Sequence, residues 1–486
     1  MLPESEGPDD AGFAGKMGVK GAGPFCIRHG ARWGWIGLAV LAGCTGQNVG
    51  FAPSPRSPNF VVILTDDQRG DAMGCVTPWV RTPAMDALAA RGVRFSNAFA
   101  TTSLCSPSRA SILTGRYARA CGVPRLGGKL NDGERTVAHL LRDRGYRTAH
   151  VGKWHLQGAP AAAGFDRSWY FQGNGPHRNR AVVEEGRKGV TPGHVDAWVA
   201  ERAVEYLQNA AKEKTPFVLF VNPQLPHMDN RRSWDVRPEA TAAYVSVEPP
   251  VPASWNDGFR GKPPYLPGGR SRQVALEDGL DTPEGIRARI RGYSAAVTEV
   301  DDHVGRVLRA VDETGLSGRT IVIFASDNGW MIGEHGLTSK MLPYEASIRV
   351  PLIIAGPGIA PRVEPRSALL VDLAPTLLDL AGAPVPANVH GRSLAPILRG
   401  ESTAWRDRFL YDYPVEEIGV LPNAAVRTEQ WKYVRTEDPA APGGTFVELY
   451  DLTADPEERE NRAGETPALN IEKKLAEDLG RMRRLP

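Results

Sequence analysis

Cysteine, charge imbalance and long apolar runs are all scarce in this 486-residue chain. A formal net charge of +2 leaves no basic excess to track a nucleic acid backbone, so no nucleic-acid partner is expected. The apolar run near the N-terminus, Trp33–Leu41 (WGWIGLAVL), falls far short of the roughly 20 residues that a membrane helix needs. There is no internal repeat, and only Ala159–Gly164 is compositionally simple. What remains is globular: 42% hydrophobic and 23% charged, with 52 Gly and 40 Pro pointing to many loops. The length allows two to four domains, or one large α/β domain with an appendage.

The short apolar run follows Arg28 and Arg32 and precedes Leu41-Ala42-Gly43-Cys44. A basic flank, a short apolar core and small residues before a cut describe a secretory signal. The last four residues resemble a bacterial lipoprotein box, in which Cys44 would carry lipid. A plain signal cut near Gly46 and a short buried helix are the alternatives, and Met17 is an alternative start. The expected product is exported, a periplasmic or cell-surface lipoprotein that meets the membrane through its anchor only. Residues 1–44 are read as signal and lipobox, 45–58 as a tether, 59–399 as the main domain and 400–486 as a smaller α+β domain. Of the five cysteines, Cys26 leaves with the signal. Cys75 and Cys121 are free to pair or to stay as buried thiols. Cys105 is left over, and an unpaired thiol in an exported protein asks for an explanation.

Five short apolar runs read as buried parallel strands: Asn59–Thr65, Tyr146–Val151, Phe217–Val221, Thr320–Ala325 and Val350–Ala355. Helical patterns lie between them at Pro83–Arg91, Thr136–Arg144, His194–Ala211 and, with the best apolar stripe, Ile286–Val311. This alternation predicts a large α/β sheet with helices on both faces. Asp229–Gly285 is a long Pro-rich excursion of the kind that carries function or lines a cleft. From about Gly400 onward, Phe409–Tyr413, Ala424–Arg435 and Phe446–Leu452 read as antiparallel strands, and Ile471–Arg484 as a terminal helix.

The strand ends carry the chemistry. In open α/β sheets, ligands bind beyond the carboxyl ends of the strands. Asp66-Asp67 ends the first strand and Asp327-Asn328 the fourth, which offers an oxygen-only site suited to Ca²⁺ or Mg²⁺ rather than Zn²⁺. Either pair alone would read as a turn or a helix cap. Lys153, His155, His227 and Lys340 also fall at or beyond strand ends and predict an anion pocket. The stretch Ser103–Tyr117 (SLCSPSRASILTGRY) predicts a short helix, with Ser106 as cap, Pro107 at its first position and Gly115 at its stop. Cys105 then lies at the positive end of that helix, with Arg109 in the first turn.

These residues resemble the sulfatase family. Cys105-Ser106-Pro107-Ser108-Arg109 matches the C-x-P-x-R signature, and Ala110–Gly115 continues it. Asp66-Asp67, Gly152-Lys153-Trp154-His155, Pro226-His227, Ser326-Asp327-Asn328-Gly329 and Lys340 match in order, as does the late Leu449-Tyr450-Asp451-Leu452 with Asp455-Pro456-Glu457-Glu458. The resemblance implies an alkaline phosphatase-like fold, with a large mixed sheet flanked by helices and a smaller C-terminal α+β domain that contains an antiparallel sheet. It implies that a separate maturation enzyme oxidises Cys105 to formylglycine, whose hydrate attacks sulfur beside a divalent cation, Ca²⁺ or Mg²⁺. The implied metal ligands are Asp66, Asp67, Asp327, Asn328 and residue 105. The implied catalytic roles are Asp327 as acceptor of the nucleophile's proton, Lys340 or His227 as donor to the departing alcohol, and His155 as base for sulfate release. Lys153 and Arg109 hold the charge.

Asn174, His177 and Arg178, in the polar loop GNGPHRN, together with Trp330, Glu334 and His335, are read as candidates for substrate contact. The resemblance to bacterial glycan sulfatases over 326–354 favours carbohydrate sulfate esters, with aryl sulfates as test substrates. A phosphonate or phosphodiester hydrolase of the same superfamily and a catalytically silent glycan-binding lipoprotein are the rival readings.

Overall fold

Every residue of Asn59–Thr65, strand β1, is buried. Phe60, Val62 and Leu64 enter the core on one face of the sheet, and Val61 and Ile63 enter it on the other. A strand apolar on both faces belongs in the middle of a parallel sheet covered by helices. The computed structural model describes residues 57–484. The expected signal segment with Cys26 and Cys44, and most of the tether, lie outside the described residues.

The remaining strands of the main sheet are β2 (Gly92–Phe95), β3 (Arg147–Lys153), β4 (Arg167–Phe171), β5 (Ala181–Glu184), β6 (Arg187–Val190), β7 (Phe217–Asn222), β8 (Thr320–Ser326), β9 (Leu352–Ala355) and β10 (Arg362–Glu364). Their order is β10-β2-β9-β8-β1-β7-β3-β4-β5-β6. Strands β8, β1, β7, β3 and β4 run parallel, so their carboxyl ends open on one edge. The helices that flank the sheet include α1 (Pro83–Ala90), α2 (Cys105–Thr114), α3 (Val137–Arg142), α4 (Val195–Ala210), α5 (Pro283–Glu313) and α6 (Leu373–Leu380). The first, fourth and fifth pack on the face of Val61 and Ile63, and the other three cover the opposite face.

Two expectations change. The fifth apolar run forms β9, but it pairs antiparallel to β8. A parallel neighbour would need a crossover back to the other edge of the sheet. Residues 327–349 instead stay at the carboxyl edge, so the chain re-enters the sheet running backwards. The Ala424–Arg435 run is two strands, Asn423–Thr428 and Trp431–Thr436, folded at Glu429-Gln430. Thr428 Oγ1 accepts the Trp431 N–H at 2.8 Å and closes that turn without a glycine. Cys75 and Cys121 are both free, the former exposed and the latter buried.

The C-terminal sheet is antiparallel: β11 (Arg408–Tyr413), β12 (Asn423–Thr428), β13 (Trp431–Thr436) and β14 (Phe446–Asp451). One face packs on the terminal helix α7 (Leu469–Met482) through Leu410, Val426, Leu475 and Leu479. The other buries Phe409, Tyr411, Val434 and Tyr450 against Phe99, Leu104, Leu342 and Ile348. No helix among the described residues is long and apolar enough to cross a membrane.

Candidate active site

Thr65 and Ser326 are register partners at the ends of β1 and β8, so Asp66-Asp67 and Asp327-Asn328 leave the sheet side by side. Lys153, the last residue of β3, comes from the same edge. Helix α2 delivers residue 105. Its N-cap is Leu104, extended at φ −150° and without a side-chain cap, and Cys105 is the first helical residue. The expected cap at Ser106 is not used. Ser106 Oγ donates to the His155 carbonyl and accepts the Gly127 N–H instead. Gly115 ends the helix at φ +69°, as expected.

The polar groups interlock. Cys105 Sγ lies 3.4 Å from Asp66 Oδ1 and accepts from Lys340 Nζ at 2.8 Å. Arg109 spans two carboxylates, with Nη2 3.0 Å from Asp66 Oδ2 and Nε 2.9 Å from Asp327 Oδ2. Lys153 Nζ pairs with Asp66 and donates to Asn174 Oδ1, and Lys340 Nζ also pairs with Asp67. Asn328 Nδ2 donates to Asp67 Oδ1 at 2.6 Å. His227 donates Nδ1–H to the Met228 carbonyl, which leaves Nε2 facing Asp67 Oδ2 at 3.6 Å.

Burial opposes the charge of Asp66, but Lys153 and Arg109 outweigh it and hold this carboxyl well below its usual range. Burial raises Asp67 despite Lys340. Burial and the charge of Asp66 raise Asp327 despite Arg109. Burial, with Asp66, pushes the Cys105 thiol far up, so the unmodified side chain is a protonated thiol and a poor nucleophile. Burial, with the nearby Lys153 charge, lowers His155 to about 2 and His227 to about 3, which leaves both imidazoles neutral.

Asp66, Asp67, Asp327 and Cys105 each offer a ligand atom, all within 4.8 Å of one another. Asp67 Oδ2 and Asn328 Oδ1 are buried with no hydrogen-bond partner. Unpartnered buried oxygens are costly and rare. Two of them beside two more carboxylates fit a hard divalent cation.

The outer candidates divide. Asn174 touches Lys153, and the Trp330 ring lies 5.6 Å from Lys340 Nζ and edge-on to His227, so both border the site. His177 does not face substrate: it is buried and its Nε2 bonds the His227 carbonyl at 3.1 Å. His335 is turned away as well, buried with Nδ1 2.6 Å from Asp257 Oδ2. Glu334 is taken by Arg69 at 2.6 Å, and the exposed Arg178 by Asp235 at 2.5 Å. In each case a partner distant in sequence satisfies the polar group.

One contributor reads in the sequence only as a core residue. Asp67 has a left-handed backbone, φ +64°, a costly conformation for a non-glycine residue. Tyr293 of α5 pins it by donating its hydroxyl to the Asp67 carbonyl at 2.8 Å and accepting the Arg69 N–H at 2.8 Å. A tyrosine on an otherwise aliphatic buried stripe is the available signal, because its hydroxyl needs a partner.

The fold and the strand-end cluster define a hydrolase of the alkaline phosphatase-like kind. The sulfatase family pattern matches residues 58–383, and the pattern of the N-sulphoglucosamine sulphohydrolase C-terminal region matches 333–485. The chain belongs to the sulfatase family and is a sulfuric ester hydrolase. It is 29% identical to an N-acetylglucosamine-6-O-sulfatase of Bacteroides thetaiotaomicron, over 86% of this chain and 85% of that one. It is 30% identical to an ulvan-active sulfatase of Formosa agariphila, over 87% and 80%. A solved structure of an enzyme with its substrate D-glucosamine-2-N,6-O-disulfate superposes with a TM-score of 0.79, at 28% identity over 88% of this chain and 98% of that one.

Proposed function

We propose that this protein hydrolyses sulfate esters on carbohydrates. It would use a formylglycine made from Cys105 and a divalent cation, Ca²⁺ in preference to Mg²⁺, held by Asp66, Asp67, Asp327 and Asn328. The observation that carries this reading is the convergence on Cys105 Sγ of Lys340 Nζ at 2.8 Å and Asp66 Oδ1 at 3.4 Å, within an oxygen cluster that has two unpartnered atoms. When bound, the cation polarises the sulfate oxygens as a Lewis acid. A formylglycine at residue 105 would supply, once hydrated, two hydroxyls on one carbon, one as nucleophile and one whose deprotonation would release sulfate.

The chain's own groups do the rest. Arg109 and the N-terminus of α2 stabilise negative charge at residue 105. Lys153 keeps Asp66 ionised and ties Asn174 to the site. Asp327 accepts the proton of the attacking hydroxyl. The neutral imidazole of His155 takes the proton of the second one. Lys340 donates to the departing alcohol oxygen, with His227 as the other candidate. The sugar sulfatases among its relatives support a carbohydrate substrate, for which Asn174 and Trp330 are the contact candidates. An exported lipoprotein, loaded by a formylglycine-generating enzyme, suits such a substrate.

The test begins with mass. The tryptic peptide Phe95–Arg109 of the mature enzyme should be lighter by about 18 Da, the change from CH₂SH to CHO, which lies off the usual oxidation ladder. The enzyme should release sulfate from sulfated aminosugars and leave 4-nitrophenyl phosphate intact. Cys105→Ala should abolish turnover and leave the unfolding midpoint near wild type. Turnover retained by that variant would overturn the nucleophile assignment.

A further inference from the structure

Lys340 sits between Ser339 at φ +80° and Met341 at φ +75°, two non-glycine residues in the left-handed region. Such a segment keeps its shape only if its surroundings impose it. The C-terminal sheet supplies much of that constraint, and each of its four strands sends at least one buried polar side chain. From β12, Asn423 Nδ2 donates to the Met341 carbonyl at 3.2 Å. From β13, Lys432 Nζ donates to the Pro343 carbonyl at 2.8 Å and pairs with Glu345 at 2.9 Å and Glu458 at 2.7 Å. From β14, Glu448 accepts the Tyr344 hydroxyl at 2.8 Å. From β11, the Tyr411 hydroxyl lies 2.8 Å from Ser103 Oγ, two residues before Cys105, and that same Ser103 Oγ accepts the Met341 N–H at 3.1 Å. Lys432 and Tyr411 are 0% exposed, Glu448 1% and Asn423 3%, so these are interior contacts.

A buried ion network is weak evidence for stability, and its best-attested use is to fix one geometry among several. Here the fixed geometry is the distance from the Lys340 ammonium to residue 105. We propose that the C-terminal sheet is a positioning element of the active site: Tyr411, Asn423, Lys432 and Glu448 hold the segment 341–345 and Ser103 together, and so set Lys340 against residue 105. This rests on the reading that Lys340 donates to the departing oxygen.

That dependence supplies the test. A nitrophenolate leaves with little help, whereas a sugar alkoxide needs a donor. Asn423→Leu removes the bonds to the Met341 and Leu421 carbonyls and Tyr411→Phe the one to Ser103, both while keeping the shape, and Lys432 stays in place because removing it would leave the buried Glu458 without its cation. With kcat normalised to the formylglycine content measured by mass, both variants should lose about tenfold or more in kcat on a sugar sulfate. The loss on 4-nitrophenyl sulfate should stay below about threefold, with KM little changed on either ester. Lys340→Ala should show the same selectivity, more strongly. Equal losses on both esters, or none, in Asn423→Leu and Tyr411→Phe while Lys340→Ala stays selective would overturn the positioning role. Equal losses in Lys340→Ala itself would overturn the donor role on which the proposal stands.

Discussion

Asn328 gives its amide N–H to Asp67 Oδ1 at 2.6 Å, which leaves Asn328 Oδ1 and Asp67 Oδ2 as neighbouring buried acceptors with no donor. The sheet register forces the two residues together, since each lies two positions beyond the register partners Thr65 and Ser326. Buried acceptors that the surrounding Lys340, Lys153 and Arg109 leave without a donor are stabilised by a cation.

Dialysis against a chelator should therefore abolish sulfate release, and millimolar Ca²⁺ should restore it. Ligand binding to the folded state alone stabilises by mass action, about 2.7 kcal/mol at a hundredfold excess over Kd. Thermal unfolding of the chelated protein should accordingly move up by several degrees when Ca²⁺ is added, and Asp67→Asn should blunt that shift. An unfolding curve indifferent to both Ca²⁺ and Mg²⁺ would remove the cation from this site.

Asp301 of α5 caps α1 from outside, accepting the backbone N–H groups of Ala84 at 2.9 Å and Met85 at 2.8 Å. Thr82, the local N-cap, makes no such bond. Burial outweighs those two donors and raises the Asp301 carboxyl to about 6. Because the folded value lies above the unfolded one, its contribution to stability is full below about pH 4 and is lost as pH rises through about 6. Asp301→Asn removes the titration. Its stability relative to wild type should rise by on the order of 3 kcal/mol between pH 4 and pH 7, read from urea midpoints. A pH-independent difference between the two proteins would contradict the raised carboxyl.

Much of this architecture is legible in the sequence, because the runs that form β1, β7 and β8 are apolar on both faces, the weaker run of β3 buries Ala149 and Val151 on one, and their strand ends carry the polar groups. What escapes notice has physical reasons. Strands β5 and β6 form an exposed edge hairpin, so no apolar signal marks them. The direction of β9 depends on where residues 327–349 run, which the pattern of β9 itself does not record. The site splits the same way. Asp66, Asp67, Lys153, Asp327 and Lys340 announce themselves by their position at or beyond strand ends. His335 and Asp257 are 78 positions apart, and nothing local to either tells that each satisfies the other.

Gly175 matters for the space it leaves. A Cβ added there would lie 1.1 Å from Arg180 Nη1. Arg180 fills that space with Nη2 bonded to the carbonyls of Gln172 at 2.6 Å and Gly173 at 3.0 Å, and its guanidinium lies over the Phe171 ring. The guanidinium thus shapes the turn that presents Asn174 to Lys153. Gly175→Ala should force the guanidinium out, cost about 1–3 kcal/mol in urea unfolding and raise KM for a sulfated sugar. Arg180→Ala should also raise KM, by freeing the loop. The double variant gives the decisive reading, because the three atoms nearest the added methyl all belong to Arg180. Its loss should fall short of the sum of the single losses by about 1 kcal/mol or more, the coupling expected of residues in contact. Strict additivity would mean that Gly175 and Arg180 act on the loop independently.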